Sequence, residues 1–262
     1  MRILSITAQK PNSTGSGVYL TELVKEFALQ GHEQAVVAGI YRDDEVELPD
    51  GVEFYPVYFC SERLPYDIVG MSDEMPYKST RYCDMTPEMV EQFRASFIEV
   101  ISPLVEQFQP DLILCHHLYL LTAFVRQWFP DKKIYGFCHN TDLRQMQKTD
   151  LERTFIAEQI RKLDRIFVPQ TAQQDGVVDI YQVDIEKTMI VGMGYNNKIF
   201  YVTGEKPKDG VTRIVFAGKI AEKKGVMSLI RSLSLLGKKA PHVQKGALQV
   251  YLAGSAGNET EY

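Results

Sequence analysis

The chain has 262 residues, 45% of them hydrophobic and 24% charged, with a formal net charge of −5. That composition belongs to globular proteins, and the acidic balance excludes a nucleic-acid or strongly anionic surface as the principal partner. No apolar run approaches the roughly 20 residues that a bilayer-spanning helix needs, which leaves only peripheral membrane contact open. The four cysteines, Cys60, Cys83, Cys115 and Cys138, lack close spacing and fit a reducing, cytoplasmic compartment.

Residues 2–7 read as a buried strand, followed by a glycine-rich loop from Gln9 to Gly17. Leu20, Leu23, Val24 and Phe27 then repeat at helical spacing, Gly31 follows, and residues 34–38 supply the next strand. This is the opening βαβ unit of a Rossmann-like parallel sheet, and its first loop lies where such sheets bind ligands. A nicotinamide dinucleotide does not fit. Leu20 stands where a third glycine belongs after Gly15-Ser16-Gly17, and the second strand ends in Ala38-Gly39 with no acid to grip a ribose. Gly15, Ser16 and Gly17 remain candidates for a ligand-lining or phosphate loop, against the plainer reading of a tight turn into a helix.

Residues 59–86 carry no clear period, and a segment of that length inside a domain is usually functional or mobile. It is expected either to shape a ligand site or to pack as partly helical structure. Thr86-Pro87-Glu88 starts a helix well, with a capping hydroxyl, a proline at the first position and an acid in the first turn. Val90, Phe93, Phe97, Ile101, Leu104 and Phe108 form its apolar stripe, and Pro103 inside that stripe is expected to kink or break it.

Residues 110–117 form a strand closing in His116 and His117, and residues 133–138 a later strand followed by His139, Asn140 and Asp142. Cys115, His116, His117, Cys138 and His139 invite a metal reading. Adjacent strand residues point to opposite faces, however, and the spacing matches no ligand motif, so no metal is expected. These polar residues at the carboxyl ends of parallel strands belong instead to the ligand edge of the sheet. His116, His117, Asn140 and Asp142 are the candidates there, with a hydrogen-bonded core role as the alternative for the first two. A helix (residues 150–163), a strand (165–169), a helix from Thr171 and a strand (188–191) complete a first domain of residues 1–200.

Residues 203–210 are a polar linker with Gly and Pro. Beyond it Ile214-Val215-Phe216-Ala217 is a strand ended by Gly218. After a loop holding Lys219, Lys223 and Lys224, Gly225 opens a helix with Val226, Leu229, Ile230 and Leu233 on one face. Free N–H groups at a helix start favour an anion, and lysines beside them add full charges. Gly218, Lys219, Lys224 and Gly225 are therefore candidates for binding a diphosphate, against an ordinary turn with solvated lysines. Residues 248–253 add one more strand, ending in Gly254-Ser255-Ala256-Gly257.

This strand-Gly-Lys-loop-Lys-Gly-helix segment resembles the start of the second domain of the retaining family-4 (group 1) glycosyltransferases of the GT-B fold. The Pro110-Asp111-Leu112-Ile113 to histidine strand and the His139 to Asp142 pair are similar to that family as well. Gly192-Met193-Gly194-Tyr195-Asn196 matches the family's crossover in position more than in letters. The resemblance implies an α/β protein of the GT-B type: a Rossmann-like acceptor-side domain, then residues 201–262 as linker and first βαβ part of a nucleotide-sugar domain. It implies transfer of a hexose from a nucleoside-diphosphate sugar to an unspecified acceptor, with retention and without a further cofactor. His139 would face the donor sugar as the catalytic residue, and Gly15 to Gly17 would bound the acceptor side. Lysine stands at 219 where the family more often has arginine, which replaces a bidentate fork by a point charge. The family's acidic motif, two glutamates separated by seven residues, is expected downstream of Tyr262, so this stretch by itself is expected to be inactive. A non-catalytic sugar-nucleotide or carbohydrate-binding module therefore stays open. So, less strongly, does a sugar-nucleotide epimerase, although Gln9-Lys10-Pro11-Asn12 stands in place of its usual Arg-Pro-Glu.

Overall fold

The computed structural model describes residues 1–218, 220, 222–240 and 246–254, with the side chain of Lys223 outside that set. The chain divides into two compact units, Met1–Tyr195 and Asn196–Tyr262. The first begins with β1 (Arg2–Thr7), α1 (Gly15–Leu29), β2 (Glu33–Ile40) and β3 (Val52–Tyr58). Two short strands, β4 (Val69–Gly70) and β5 (Thr80–Arg81), precede α2 (Pro87–Phe108) and β6 (Leu112–His116). Next come α3 (Leu120–Trp128), β7 (Ile134–Phe137), α4 (Thr141–Lys148) and α5 (Arg153–Ile160). The unit closes with β8 (Arg165–Val168), α6 (Thr171–Tyr181) and β9 (Thr188–Ile190).

All neighbours pair parallel in a sheet ordered β3-β2-β1-β6-β7-β8-β9. The chain winds outward from β1 in one direction through β3 and from β6 in the other through β9. The switch point of an α/β sheet, where ligand crevices form, therefore lies between β1 and β6. Side chains alternate across the sheet. Ile3, Val36, Leu114 and Phe137 pack with Leu20, Val24, Leu23 and Phe27 of α1. Leu4, Ile6, Ala35, Val37 and Ile113 belong to the larger cluster with Phe93, Phe97 and Ile101 of α2. Both faces are covered, as a parallel sheet requires.

Local chemistry sets the helix limits. Thr86 caps α2 by accepting from the Met89 N–H at 3.3 Å, a contact worth about 1 kcal/mol. Pro103 does not break this helix. It lies on the exposed face, where water can serve the carbonyl that its missing N–H leaves unpaired. β3 is an element the sequence analysis leaves out. It carries Pro56, which an edge strand tolerates because one of its sides needs no donor.

The second unit contains β10 (Thr212–Ala217), a single 3-10 turn (Glu222–Lys224), α7 (Val226–Lys239) and β11 (Leu248–Ala253). β10 and β11 pair parallel, Thr212 opposite Leu248 through Ala217 opposite Ala253. A Cβ on Gly254 would lie 1.8 Å from the carbonyl oxygen of Gly218, so the two strand ends approach backbone to backbone, as only glycine permits. Val215 is 64% exposed and Tyr251 50% exposed, so this strand pair buries far less than the first sheet. We expect hydrogen exchange of 214–217 and 248–252 to be faster than that of 113–116 in the monomer. Equal protection of the two segments would contradict this.

Candidate functional site

The first loop returns from β1 over the switch point and enters α1 with Thr14 as cap, its hydroxyl accepting from the Gly17 N–H at 3.1 Å. Gly17 is required by close approach: a Cβ there would meet the Lys10 carbonyl oxygen at 2.5 Å. A Cβ on Gly15 would meet nothing within 4 Å, so close approach does not require glycine there. The turn places Ser16 so that its hydroxyl lies 3.0 Å from Nε2 of His117.

His116 and His117 do not diverge as strand alternation predicts. His117 stands past the end of β6 with a φ of 71°, and this left-handed residue turns its ring back toward the same cluster. Nδ1 of His116 lies 3.2 Å from Nε2 of His139, and the rings of His117 and His139 have centroids 4.7 Å apart. Nδ1 of His117 meets the Thr141 hydroxyl at 3.5 Å. Tyr19, one helical turn beyond Ser16, sets its ring edge-on to His139 at 5.5 Å. Among the described residues no group of three or more His, Cys, Asp or Glu is arranged to hold a metal ion.

Asp142 holds these loops together. Fully buried, it accepts from the Leu118 N–H at 2.9 Å and the His139 N–H at 3.2 Å, joining the ends of β6 and β7. Burial pushes its carboxyl above the usual range, against the pull of those N–H groups. The Leu118 carbonyl accepts from the buried Tyr181 hydroxyl, and the His117 carbonyl from Thr122. Asn140 sits at the start of α4 with a φ of 67°, its Oδ1 accepting from Gln173 Nε2 at 3.1 Å. Gln173 thereby supports the loop after β7 from α6.

The segment after β3 packs over this edge. Gln9 Nε2 donates to the Val69 carbonyl at 2.6 Å, Tyr77 donates to Gln9 Oε1 at 3.2 Å, and Gln145 Nε2 donates to the Met71 carbonyl at 3.0 Å. Lys10 pairs with Asp44 and lies over the rings of Tyr41 and Tyr77, 5.2 and 5.1 Å from their centroids. Beneath this cover Ala8, Gln9, Met71, Tyr82, His116, His117, Tyr119 and Leu121 line a cavity of about 10 Å³, the room of one water. The Tyr119 hydroxyl is buried without a hydrogen-bond partner among the described residues. Tyr19, Thr141, Thr122 and Tyr181 are site residues that the sequence analysis misses. Only Tyr19 carried a signal, its spacing of three from Ser16, which shares a helix face.

In the second unit Gly225 caps α7 with a φ of 83°, Gly218 ends β10, and Lys224 is exposed in the turn between them. Lys219 lies outside the described residues, as do Ser255, Ala256 and Gly257.

The sequence profile of Glycosyltransferase Family 4 matches residues 13–197, most of the chain and all of the histidine cluster. The chain belongs to Glycosyltransferase Family 4. Its fold is also that of solved glycosyltransferases of the GT-B type. Sucrose-phosphate synthase from Thermosynechococcus elongatus superposes with a TM-score of 0.64 at 14% identity, covering 97% of this chain and 62% of that one. The UDP-forming α,α-trehalose-phosphate synthase from Burkholderia vietnamiensis gives 0.59 at 15% identity, over 97% of this chain and 64% of that one. Anabaena HepE in complex with UDP-glucose gives 0.58 at 13%, over 100% of this chain and 62% of that one. This family member thus spans less than two thirds of the length of these structures. No protein of curated function matches it by sequence. Among its described residues no helix is long and apolar enough to cross a membrane.

Burial holds the cluster neutral. It pushes His139 down to about 4, and drives His116 and His117 well below the ordinary histidine value, with the neighbouring imidazoles adding repulsion. Unfolded histidines titrate near 6.5, so below that pH the unfolded chain takes up protons that the folded chain refuses, and stability falls with falling pH. Asp142, raised in the fold, works in the opposite direction at the acid end. We expect urea unfolding to show full stability above about pH 7 and a loss of roughly 1 kcal/mol per clustered histidine by about pH 5.5. A flat profile over that range would refute the neutral cluster. Asp142→Ala, which strands two buried N–H groups, should cost about 2–4 kcal/mol.

Proposed function

We propose that the protein to which this chain belongs transfers a hexose from a nucleoside-diphosphate sugar to an acceptor with retention of anomeric configuration. The observation that carries this reading is the partly exposed His139, whose pKa burial pushes down to about 4. It is fixed by Asp142 at the ligand edge of a sheet whose sequence belongs to a glycosyltransferase family. His139 orients the donor sugar, and the loop at Gly15, Ser16 and Gly17 bounds the acceptor side. As the glycosidic bond breaks, negative charge grows on the departing diphosphate, and that charge must be met by preplaced donors. Lys219 and Lys224, with the N–H groups near Gly218 and Gly225, take that role. The leaving group is then stabilised by side-chain cations and helix-start N–H groups, with no resident cofactor.

UDP-glucose, bound in the HepE structure, is the first donor to test, using the protein as its reading frame encodes it. Transfer to a panel of sugar and lipid acceptors should give a product with the donor's anomeric configuration; inversion would overturn the retaining assignment. Binding without turnover of any nucleotide sugar would favour a binding module instead. In calorimetry with UDP, Lys219→Ala and Lys224→Ala should each weaken binding about tenfold or more, the worth of a charge-assisted hydrogen bond. Lys223→Ala should matter much less. Equal small losses at all three would mean a generic basic loop.

A further inference from the structure

His116 and His139 share one hydrogen bond whose direction is decided by tautomer chemistry. Their rings are 17° from parallel with centroids 5.4 Å apart, while Nδ1 of His116 and Nε2 of His139 are 3.2 Å apart. The closest atoms thus lie on the line between nearly coplanar rings. The contact is an in-plane hydrogen bond, not a face-to-face stack. Because both rings are neutral, a single proton lies between the two nitrogens. If His116 donates, both imidazoles carry Nδ1–H, the less favoured tautomer of a histidine side chain. If His139 donates from Nε2, both carry Nε2–H, the favoured one. The second arrangement costs less at both residues.

We infer that His116 is a positioning residue that fixes His139 as the Nε2–H tautomer and leaves its Nδ1 as a lone-pair acceptor for a hydroxyl group of the ligand. Nδ1 of His139 has no hydrogen-bond partner among the described residues, and the side chain is partly exposed. His139 borders a second cavity of about 10 Å³ at the ends of β7, β8 and β9, beside Tyr19, Phe167 and Gly192. His116 is itself held: Phe137 stacks on it at 4.8 Å with planes 13° apart, and it is 3% exposed. An acceptor nitrogen there selects a neutral hydroxyl donor, such as a sugar ring offers, and repels phosphate or carboxylate oxygens, which have no proton to give. The choice of a sugar hydroxyl rests on the reading of His139 under Proposed function; the tautomer does not.

The test uses the ¹⁵N-histidine-labelled protein as its reading frame encodes it, at pH 7.5, with long-range ¹H–¹⁵N spectra assigned by single substitutions. In the wild type His139 should show a protonated Nε2 and a bare Nδ1. His116→Phe keeps the stack on Phe137 but removes the acceptor, and should leave His139 a mixture of tautomers. His116→Asn, whose side-chain oxygen falls near the lost Nδ1, should restore the wild-type spectrum. Transfer activity, measured as kcat/KM, should fall about tenfold in His116→Phe, as for loss of one oriented hydrogen bond, and recover in His116→Asn. A wild-type His139 protonated at Nδ1, or a His116→Phe spectrum with unchanged tautomer, would overturn the inference. Should His116→Phe fail to fold, the wild-type and His116→Asn spectra decide it. With the stated tautomer in place but no nucleotide sugar turned over, the tautomer assignment stands and the glycosyltransfer reading falls.

Discussion

A buried carboxylate organises the ligand edge of this protein. Taking Asp142 out of water is costly, and the cost is offset only because N–H groups from two separate strand ends converge on it. That convergence fixes the spacing between the loops after β6 and β7, and with it the distance between His117 and His139. The second anchor, Tyr181 on the Leu118 carbonyl, reaches the same loop from α6. Left-handed backbone at His117 and Asn140 costs energy for residues with a Cβ. It persists because these side chains determine where each loop must pass.

The packed segment between β3 and α2 adds the second condition, dryness. Phe59, Leu64, Ile68, Val69, Met71 and Tyr82 are buried within it, and its polar groups are matched to Gln9 and Gln145. The histidines beneath are held neutral by loss of water. A neutral cluster brings no net charge to a diphosphate, so in the proposed reaction the histidines of the first unit orient uncharged sugar groups. The cations assigned to the phosphates are all in the second.

The sequence exposed the strands of the sheet and the strand-end histidines, because hydrophobic runs and helical spacing report burial directly; the pairing of β1 with β6, far apart in the chain, shows only in the fold. It hid β3, whose Pro56 reads as a breaker until the strand is known to be an edge, and α4, whose polar letters Thr141 to Lys148 carry no long apolar stripe. It misled on His116 and His117. Alternation holds only while the strand continues, and the reversal at His117 depends on Asp142 and Thr122, which are distant from the local pattern. The partners of the cluster, Tyr181 above all, come from elements that meet only in the folded chain.

The order of the strands also governs when this edge can exist. β1 finds one neighbour early, in β2, but its other neighbour is β6, with Ile3 opposite Leu112 and Ile6 opposite Cys115. A chain made from its amino end therefore leaves one flank of β1 unsatisfied from Thr7 until Leu112 is made, long after β2 and β3 are complete at Tyr58. Such distant pairings fold slowly, since loop closure must precede any gain from contact. The histidine cluster needs β6, β7 and α6 in place, so a nascent or partly refolded chain has a sheet before it has a site. Until β6 docks, the bare flank of β1 is an open edge on which a wrong strand can pair.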